Sequence, residues 1–223
     1  MTDAPARSFR DVLRDIPTRP TEMPPLRAAD APADPLRLLR RWLEEESERQ
    51  TPVAHAFALA TVSPTGIPQV RTVILKDLDD AVWFATPSTS AKGQAISNTP
   101  IAEASFYWAS TGRQMRLRGF VEAAPREVSK ADFTARHPKA RAGVIIGRQG
   151  LERDDPAEVE RLYDEALATV EKNPDQVPEE WTAYCLIPDH VDVVQLRPAS
   201  DGERIDYSRP GKSAAWTVRD LWP

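Results

Sequence analysis

The apolar positions change period twice along the chain. Leu36, Leu39, Trp42 and Leu43 recur at helical spacing behind Asp34-Pro35, an aspartate at the N-cap followed by proline at the first helical position. That predicts a helix whose polar end, 44–50, runs into Pro52. From His55 the period becomes that of strands, predicted over 55–62, 69–75 and 82–85 with turns at 63–66 and 77–80. Ser90 caps a short helix through Ser97, stopped by Asn98-Thr99-Pro100. Two further strands, 102–108 and 115–122, flank Arg113-Gln114. Helical spacing returns at 129–136 and after Asp155-Pro156, where Val159, Leu162, Tyr163, Ala166, Leu167 and Val170 form a stripe that 173–178 breaks. Strands 182–186 and 191–195, a loop over 197–202, the segment 204–208 and a closing stretch 215–221 complete the chain. Hairpins this close together predict a mainly β fold, an antiparallel barrel with peripheral helices.

Composition refines this picture at the N-terminus. Seven of the 21 prolines fall in the first 35 residues, so 1–33 is expected to be a flexible arm in which 9–13 form at most a short helix. The remainder, 34–223, is expected to be a single domain. The net charge of −5 argues against a nucleic-acid partner but leaves room for a local basic pocket. Cys185 has no second cysteine, which rules out an intrachain disulfide and a cysteine-built zinc site and fits a reducing compartment. Arg7, Arg10, Asp11, Arg14 and Asp15 stand where a signal peptide would be apolar, and no run is long enough to span a bilayer. A cytoplasmic protein with no membrane partner is expected. His55, His137 and His190 lack any metal-ligand spacing, so no metal is expected. Asp77, Asp79 and Asp80 read as a turn, because the glutamate that would close a calcium loop is missing.

Several polar residues suit a phosphate-bearing ligand. Arg71 begins a strand, Ser90 and Lys92 stand at a helix N-terminus where free amides favour an anion, and Gln114 and Gln149 offer uncharged amide donors. Taken singly, each is more simply a solvated charge or a cap. Their order changes the weighing: Arg71-Thr72-Val73-Ile74-Leu75-Lys76, then Phe84-Ala85-Thr86, Ser90-Ala91-Lys92-Gly93, Arg113-Gln114, Gln149-Gly150 and Arg204-Ile205-Asp206-Tyr207-Ser208-Arg209. This series resembles the flavin-binding core of the pyridoxamine 5′-phosphate oxidase family, from about Asp34 to Pro223. The resemblance implies an FMN-binding split β-barrel, homodimeric, with cofactor contacts from Arg71, Thr72, Val73, Ile74, Thr86, Ser90, Lys92, Gln114, Gln149 and Arg204. It also implies that residues of both copies share each site, Gln149 coming from the copy opposite Arg71 and Lys92.

The substrate side departs from the family pattern. Lys76 and Arg136 match its phosphate-gripping lysine and arginine, but Asp132 replaces a tyrosine and Ala140 a serine. Ser200, Asp201 and Gly202 replace an Arg-Leu-His segment, and Val194 replaces a tryptophan that lines the flavin. With fewer cations and two added aspartates, pyridoxine phosphate is expected to be a poor substrate, with Lys76, Arg136 and Val194 bordering a different small molecule. The resemblance implies hydride transfer from a partly reduced ring or an amine to the flavin, with O2 as oxidant, as in the family's phenazine-biosynthesis branch. In that chemistry no side chain need serve as a strong base, because the protein mainly positions the partners. Two alternatives stay open: ordinary pyridoxamine phosphate oxidation with an altered grip, and a flavin- or heme-binding protein without turnover.

Overall fold

Alternating inward apolar residues on antiparallel neighbours curl one sheet around the main core. The computed structural model describes residues 8–18, 20, 22–153, 155–197 and 200–223, without the side chains of residues 200 and 201. The strands are β1 (Ala56–Val62), β2 (Pro68–Ile74), β3 (Asp77–Leu78), β4 (Val82–Pro87), β5 (Ile101–Trp108), β6 (Arg113–Ala123), β7 (Trp181–Arg197), β8 (Ser200–Ser208) and β9 (Thr217–Leu221). Their order is β2-β1-β5-β6-β7-β4-β3, with β8 on β7 and β9 on β8. β7 pairs with β6 on one side. On its other side it pairs with β4 through residues 181–186 and then with β8 from residue 190 onward. This change of partner opens the curled sheet into a half-barrel.

The helices are α1 (Phe9–Arg14), α2 (Pro35–Glu48), α3 (Ala91–Asn98), α4 (Arg126–Ala135), α5 (Pro138–Ile146) and α6 (Pro156–Lys172). Asp34 caps α2 by accepting from Leu36 N at 2.9 Å. The apolar stripe of α2 enters the sheet's concave side, where Trp42 meets Trp108 edge-on with ring centroids 6.0 Å apart. Phe57, Leu59, Phe106, Met115, Leu117, Val193 and Ile205 fill the same core. The convex side of β5 and β6 is open, exposing Ile101, Tyr107 and Phe120.

The structure differs from the pattern-based expectation in five places. The expected turn at 77–80 contains β3, and only then does Asp79 turn the chain, accepting from Ala81 N at 2.9 Å. Arg113 and Gln114 are the first residues of β6, and the hairpin turn lies before them. The two strands expected at 182–186 and 191–195 are one 17-residue strand, β7. Pro188 removes one ladder donor, but it sits at a register shift opposite Gly119, where a Cβ would collide with Ile187 O. Helix α5 was not anticipated, because Gly143 and the β-branched Val144-Ile145-Ile146 weaken its local signal. Gly143 suits a close approach, since a Cβ there would lie 3.1 Å from the Tyr163 hydroxyl of α6.

The fifth difference is at 197–202. Pro198 and Ala199 of the expected loop lie outside the described residues, while Ser200 and Gly202 belong to β8. In the proline-rich stretch 1–33, residues 1–7, 19 and 21 also lie outside the described residues. Helix α1 has no buried residue. From Glu22 onward the chain is tied to the body. Leu26 is in the core, Arg197 donates to Leu26 O at 2.8 Å, and the Tyr207 hydroxyl donates to Pro32 O at 3.1 Å. Proline-rich backbone has few donors, so its carbonyls serve as acceptors for side chains of the sheet.

Candidate cofactor and substrate site

A cavity of about 700 Å³ lies between β2, β4, the N-terminus of α3 and the α5–α6 pair. Of the residues singled out from the sequence, Thr72, Val73, Ile74, Lys76, Thr86, Ser90, Lys92, Arg136 and Gln149 border it. Arg71, Gln114, Val194 and Arg204 do not.

The α3 end of the cavity is cationic. Ser90 Oγ caps the helix by accepting from Gly93 N at 3.2 Å, and it lies 3.2 Å from Thr86 Oγ1. Gly93 lets α3 start this close to β4, because a Cβ there would come within 2.7 Å of Pro87 O. Lys92 has its pKa lowered, first by burial and then by the charge of Arg71. Arg71, just behind the cavity wall, is itself lowered by burial. Its Nη1 donates to uncharged groups, Thr61 Oγ1 at 2.7 Å and Leu59 O at 3.1 Å. Among the described residues neither cation makes an ion pair. Two partly desolvated cations that repel one another at a helix N-terminus favour an anion between them. β2 is an edge strand, so alternate backbone N–H and C=O groups along Thr72 to Ile74 point away from β1.

The residues around Trp181, which pairs with Pro87 across β4–β7, have a different balance. Lys76 Nζ lies 3.3 Å from Asp132 Oδ1, and Trp181 Nε1 donates to Asp132 Oδ2 at 2.9 Å. Arg136 lies over the Trp181 ring, 4.4 Å from its centroid. Burial lowers the Arg136 pKa, and Asp132 partly offsets that effect. Trp181, Leu162 and Tyr163 border the cavity, although none had been singled out as a site residue. In the sequence, Leu162 and Tyr163 read as part of the α6 stripe. The signal available for Tyr163 was a polar-tipped ring on that stripe, and it stays 45% exposed.

Gln149 borders the same cavity as Lys92 within one chain. Gly147, with φ 69°, ends α5 in a left-handed turn and directs the following loop across the cavity mouth. The other set lies elsewhere. Gln114 pairs with Val194 across β6–β7, and Val194 with Arg204 across β7–β8, forming one row on the sheet. The side chain of Asp201 lies outside the described residues. No group of three or more possible metal ligands occurs among the described residues, and no helix among them is long and apolar enough to cross a membrane.

A half-barrel with a cationic helix end and a cavity along an edge strand defines a class, and comparisons with known proteins place the chain within it. The family model described as pyridoxamine 5′-phosphate oxidase matches residues 43–174. The chain belongs to that family, an oxidoreductase family. A pyridoxine/pyridoxamine 5′-phosphate oxidase of Chromohalobacter salexigens is 35% identical, over 89% of this chain and 93% of the relative. The enzyme of that name from Ectopseudomonas mendocina is 33% identical over 100% of both. Among solved structures, PhzG from Burkholderia lata in complex with tetrahydrophenazine-1-carboxylic acid superposes with a TM-score of 0.81. It is 25% identical, with 91% of this chain and 100% of that one covered. A pyridoxamine 5′-phosphate oxidase-related FMN-binding protein from Nostoc punctiforme shares the fold at a TM-score of 0.70 and 23% identity, over 85% and 98% of the two chains.

Proposed function

We propose that this chain is an FMN-dependent oxidase acting on a partly reduced ring or an amine-type substrate other than pyridoxine phosphate. The observation that carries the choice of substrate is the ion pair between Asp132 and Lys76, a lysine that borders the cavity. It occupies the cation that a phosphate-bearing substrate would need.

The residues present fit FMN. Lys92 and the Ser90 hydroxyl would hold its phosphate, with the charge of Arg71 nearby, and neither cation makes an ion pair among the described residues. Thr86 supports Ser90 from β4. The free backbone groups of Thr72, Val73 and Ile74 would meet the polar edge of the ring system, and Gln149 adds a neutral amide donor at the mouth. Bound there, FMN would supply the redox chemistry, a two-electron oxidation of a substrate C–H beside nitrogen or within a reduced ring, with dioxygen as the oxidant and hydrogen peroxide as the product. The chain's own task is to hold the substrate face against the cofactor and to exclude water. α5, α6 and the loop after Gly147 suit that task because they cover the cavity.

Gln114, Val194 and Arg204 are outside this cavity in the same chain. They would complete the site from a second copy, as the family resemblance implies. The open convex face that carries Gln114 together with exposed Tyr107 and Phe120 supports such a contact. The similarity to PhzG, whose structure holds a tetrahydrophenazine, supports a reduced ring as substrate. One other reading has specific support: pyridoxamine or pyridoxine 5′-phosphate oxidation. The names of relatives at 33–35% identity favour it, as does the presence of both Lys76 and Arg136 in the cavity.

Heat release followed by mass measurement identifies the cofactor, with FMN expected; heme, deazaflavin or nothing at saturating FMN would overturn that assignment. The FMN-loaded protein is then mixed anaerobically with tetrahydrophenazine-1-carboxylic acid or with pyridoxamine 5′-phosphate. Loss of the yellow flavin absorbance with the first and slow or no loss with the second is expected. Rapid bleaching by pyridoxamine phosphate alone would favour the vitamin reaction, and no bleaching by either would favour a binder without turnover.

A further inference from the structure

Lys76, Arg136 and Trp181 border the cavity, and Asp132, outside its lining, ties Lys76 and Trp181 into one electrostatic unit. Asp132 is held on two sides, by Lys76 at 3.3 Å and by Trp181 Nε1 at 2.9 Å. Its side chain is 14% exposed and that of Lys76 31%, so the pair is partly desolvated. Trp181 is in turn packed edge-on against Phe133, with ring centroids 5.6 Å apart. Arg136 lies across the other face of this arrangement. It donates to Ala140 O at 3.3 Å, its buried Nε has no hydrogen-bond partner, and it makes no ion pair among the described residues. Glu180, next to Trp181, also borders the cavity as a further carboxylate, so it adds to the disfavour for a dianion.

We propose that Asp132 sets the charge preference of the substrate site. By pairing with Lys76 it leaves Arg136 to receive a singly charged group, a carboxylate on an aromatic or partly reduced ring, in place of a phosphate dianion. This rests on the reading that the oxidised ring lies in this cavity. Lys76, Arg136 and Asp132 together carry one net positive charge. A carboxylate matches that charge, whereas a phosphate monoester near neutral pH carries close to two negative charges and would leave one of them unmatched in a partly desolvated site. Arg136 also has the geometry for a carboxylate. Its guanidinium presents a planar fork, the ring of Trp181 supports one face, and Nε remains unpaired.

The test uses the FMN-loaded protein and two probes that share a ring, 1-naphthoate and 1-naphthyl phosphate, with affinities measured by titration calorimetry. The wild type is expected to bind naphthoate at least as tightly as the phosphate. Asp132→Asn keeps an oxygen for Trp181 Nε1 and nearly the same volume while freeing the Lys76 charge, which acts on two charges of the phosphate and one of the carboxylate. It is expected to raise the phosphate-to-carboxylate affinity ratio about tenfold. Arg136→Gln should weaken both probes about tenfold or more. If Asp132→Asn fails to fold, Asp132→Ser must move the ratio in the same direction. Tighter binding of the phosphate by the wild type, no binding of either probe, or an unchanged ratio in a folded, FMN-replete Asp132 variant would overturn the proposal. Binding needs no turnover, so absence of peroxide formation would count against the oxidase reading alone. An unchanged ratio would count against Asp132 alone.

Discussion

Arg204 Nε donates to Asp192 Oδ1 at 2.8 Å, and Arg116 Nε donates to Oδ2 of the same carboxylate at 3.1 Å. Asp192 is 3% exposed. Burial pushes its pKa up, but the hydrogen bonds and charges of Arg204 and Arg116 outweigh burial and hold it below the ordinary aspartate value. A carboxyl depressed in the folded state contributes stability that is fully present above its unfolded pKa of about 3.9 and lost as pH falls through the lower folded value. Asp192→Asn is therefore expected to cost about 1–3 kcal/mol near neutral pH. The lower part of that range is expected, since both arginines are partly exposed. It should also flatten the loss of stability below about pH 4. Urea unfolding across a pH series checks this, and an acid limb as steep in the variant as in the wild type would contradict it.

Arg71→Ala and Lys92→Ala should each weaken FMN binding without unfolding the protein. Loss of one charge-assisted phosphate contact costs about 1.5–3 kcal/mol, or roughly ten- to a hundredfold in affinity. Lys92 borders the cavity and Arg71 stands behind it, so Lys92→Ala should have the larger effect. Flavin fluorescence titration provides the reading, and unchanged affinity in both variants would remove these residues from the site.

Gly93→Ala should disturb the same end through the backbone. The new methyl group would press on Pro87 O at 2.7 Å and on the Ser88 carbonyl, and neither is the end of a flexible side chain. A cost of about 1–3 kcal/mol is expected, together with weaker FMN binding as α3 shifts and carries Lys92 with it. Thermal unfolding with and without FMN measures both effects. An alanine variant as stable and as tight-binding as the wild type would show that the helix start has room to spare.

The strand and helix periods made most of this fold legible, and the Ser90 and Asp34 caps fell where side-chain chemistry placed them. What stayed hidden was tertiary. The joining of two expected strands into β7 depends on Gly119 accommodating the backbone opposite Pro188, a relationship between residues far apart in sequence. Helix α5 depends on Tyr163 packing over Gly143. At the site, the residues around the α3 N-terminus were readable because they lie in three short segments. The pairing of Asp132 with Lys76 and Trp181 was not readable, because sequence gives the charge of Asp132 but not the partner that absorbs it.

The protein is expected to be a dimer in dilute solution. Gln114, Val194 and Arg204 form a row outside the cavity, and a second copy is the natural source of those groups for a shared site. Sedimentation velocity, with and without FMN, addresses this. A monomer that binds FMN tightly, with affinity unaffected by Gln114→Ala, would contradict the shared-site arrangement.

The most direct measurement is peroxide release by the FMN-loaded protein with pyridoxamine 5′-phosphate across a concentration series, beside the same series with tetrahydrophenazine-1-carboxylic acid. With Lys76 held by Asp132, the expected kcat/KM for pyridoxamine phosphate lies well below about 10⁴ M⁻¹s⁻¹, the lower end of ordinary enzymes, and the reduced tricycle is turned over more efficiently. An efficiency at or above that value with pyridoxamine phosphate would show that the vitamin reaction survives the loss of the free Lys76 charge, and the proposed substrate class would be wrong.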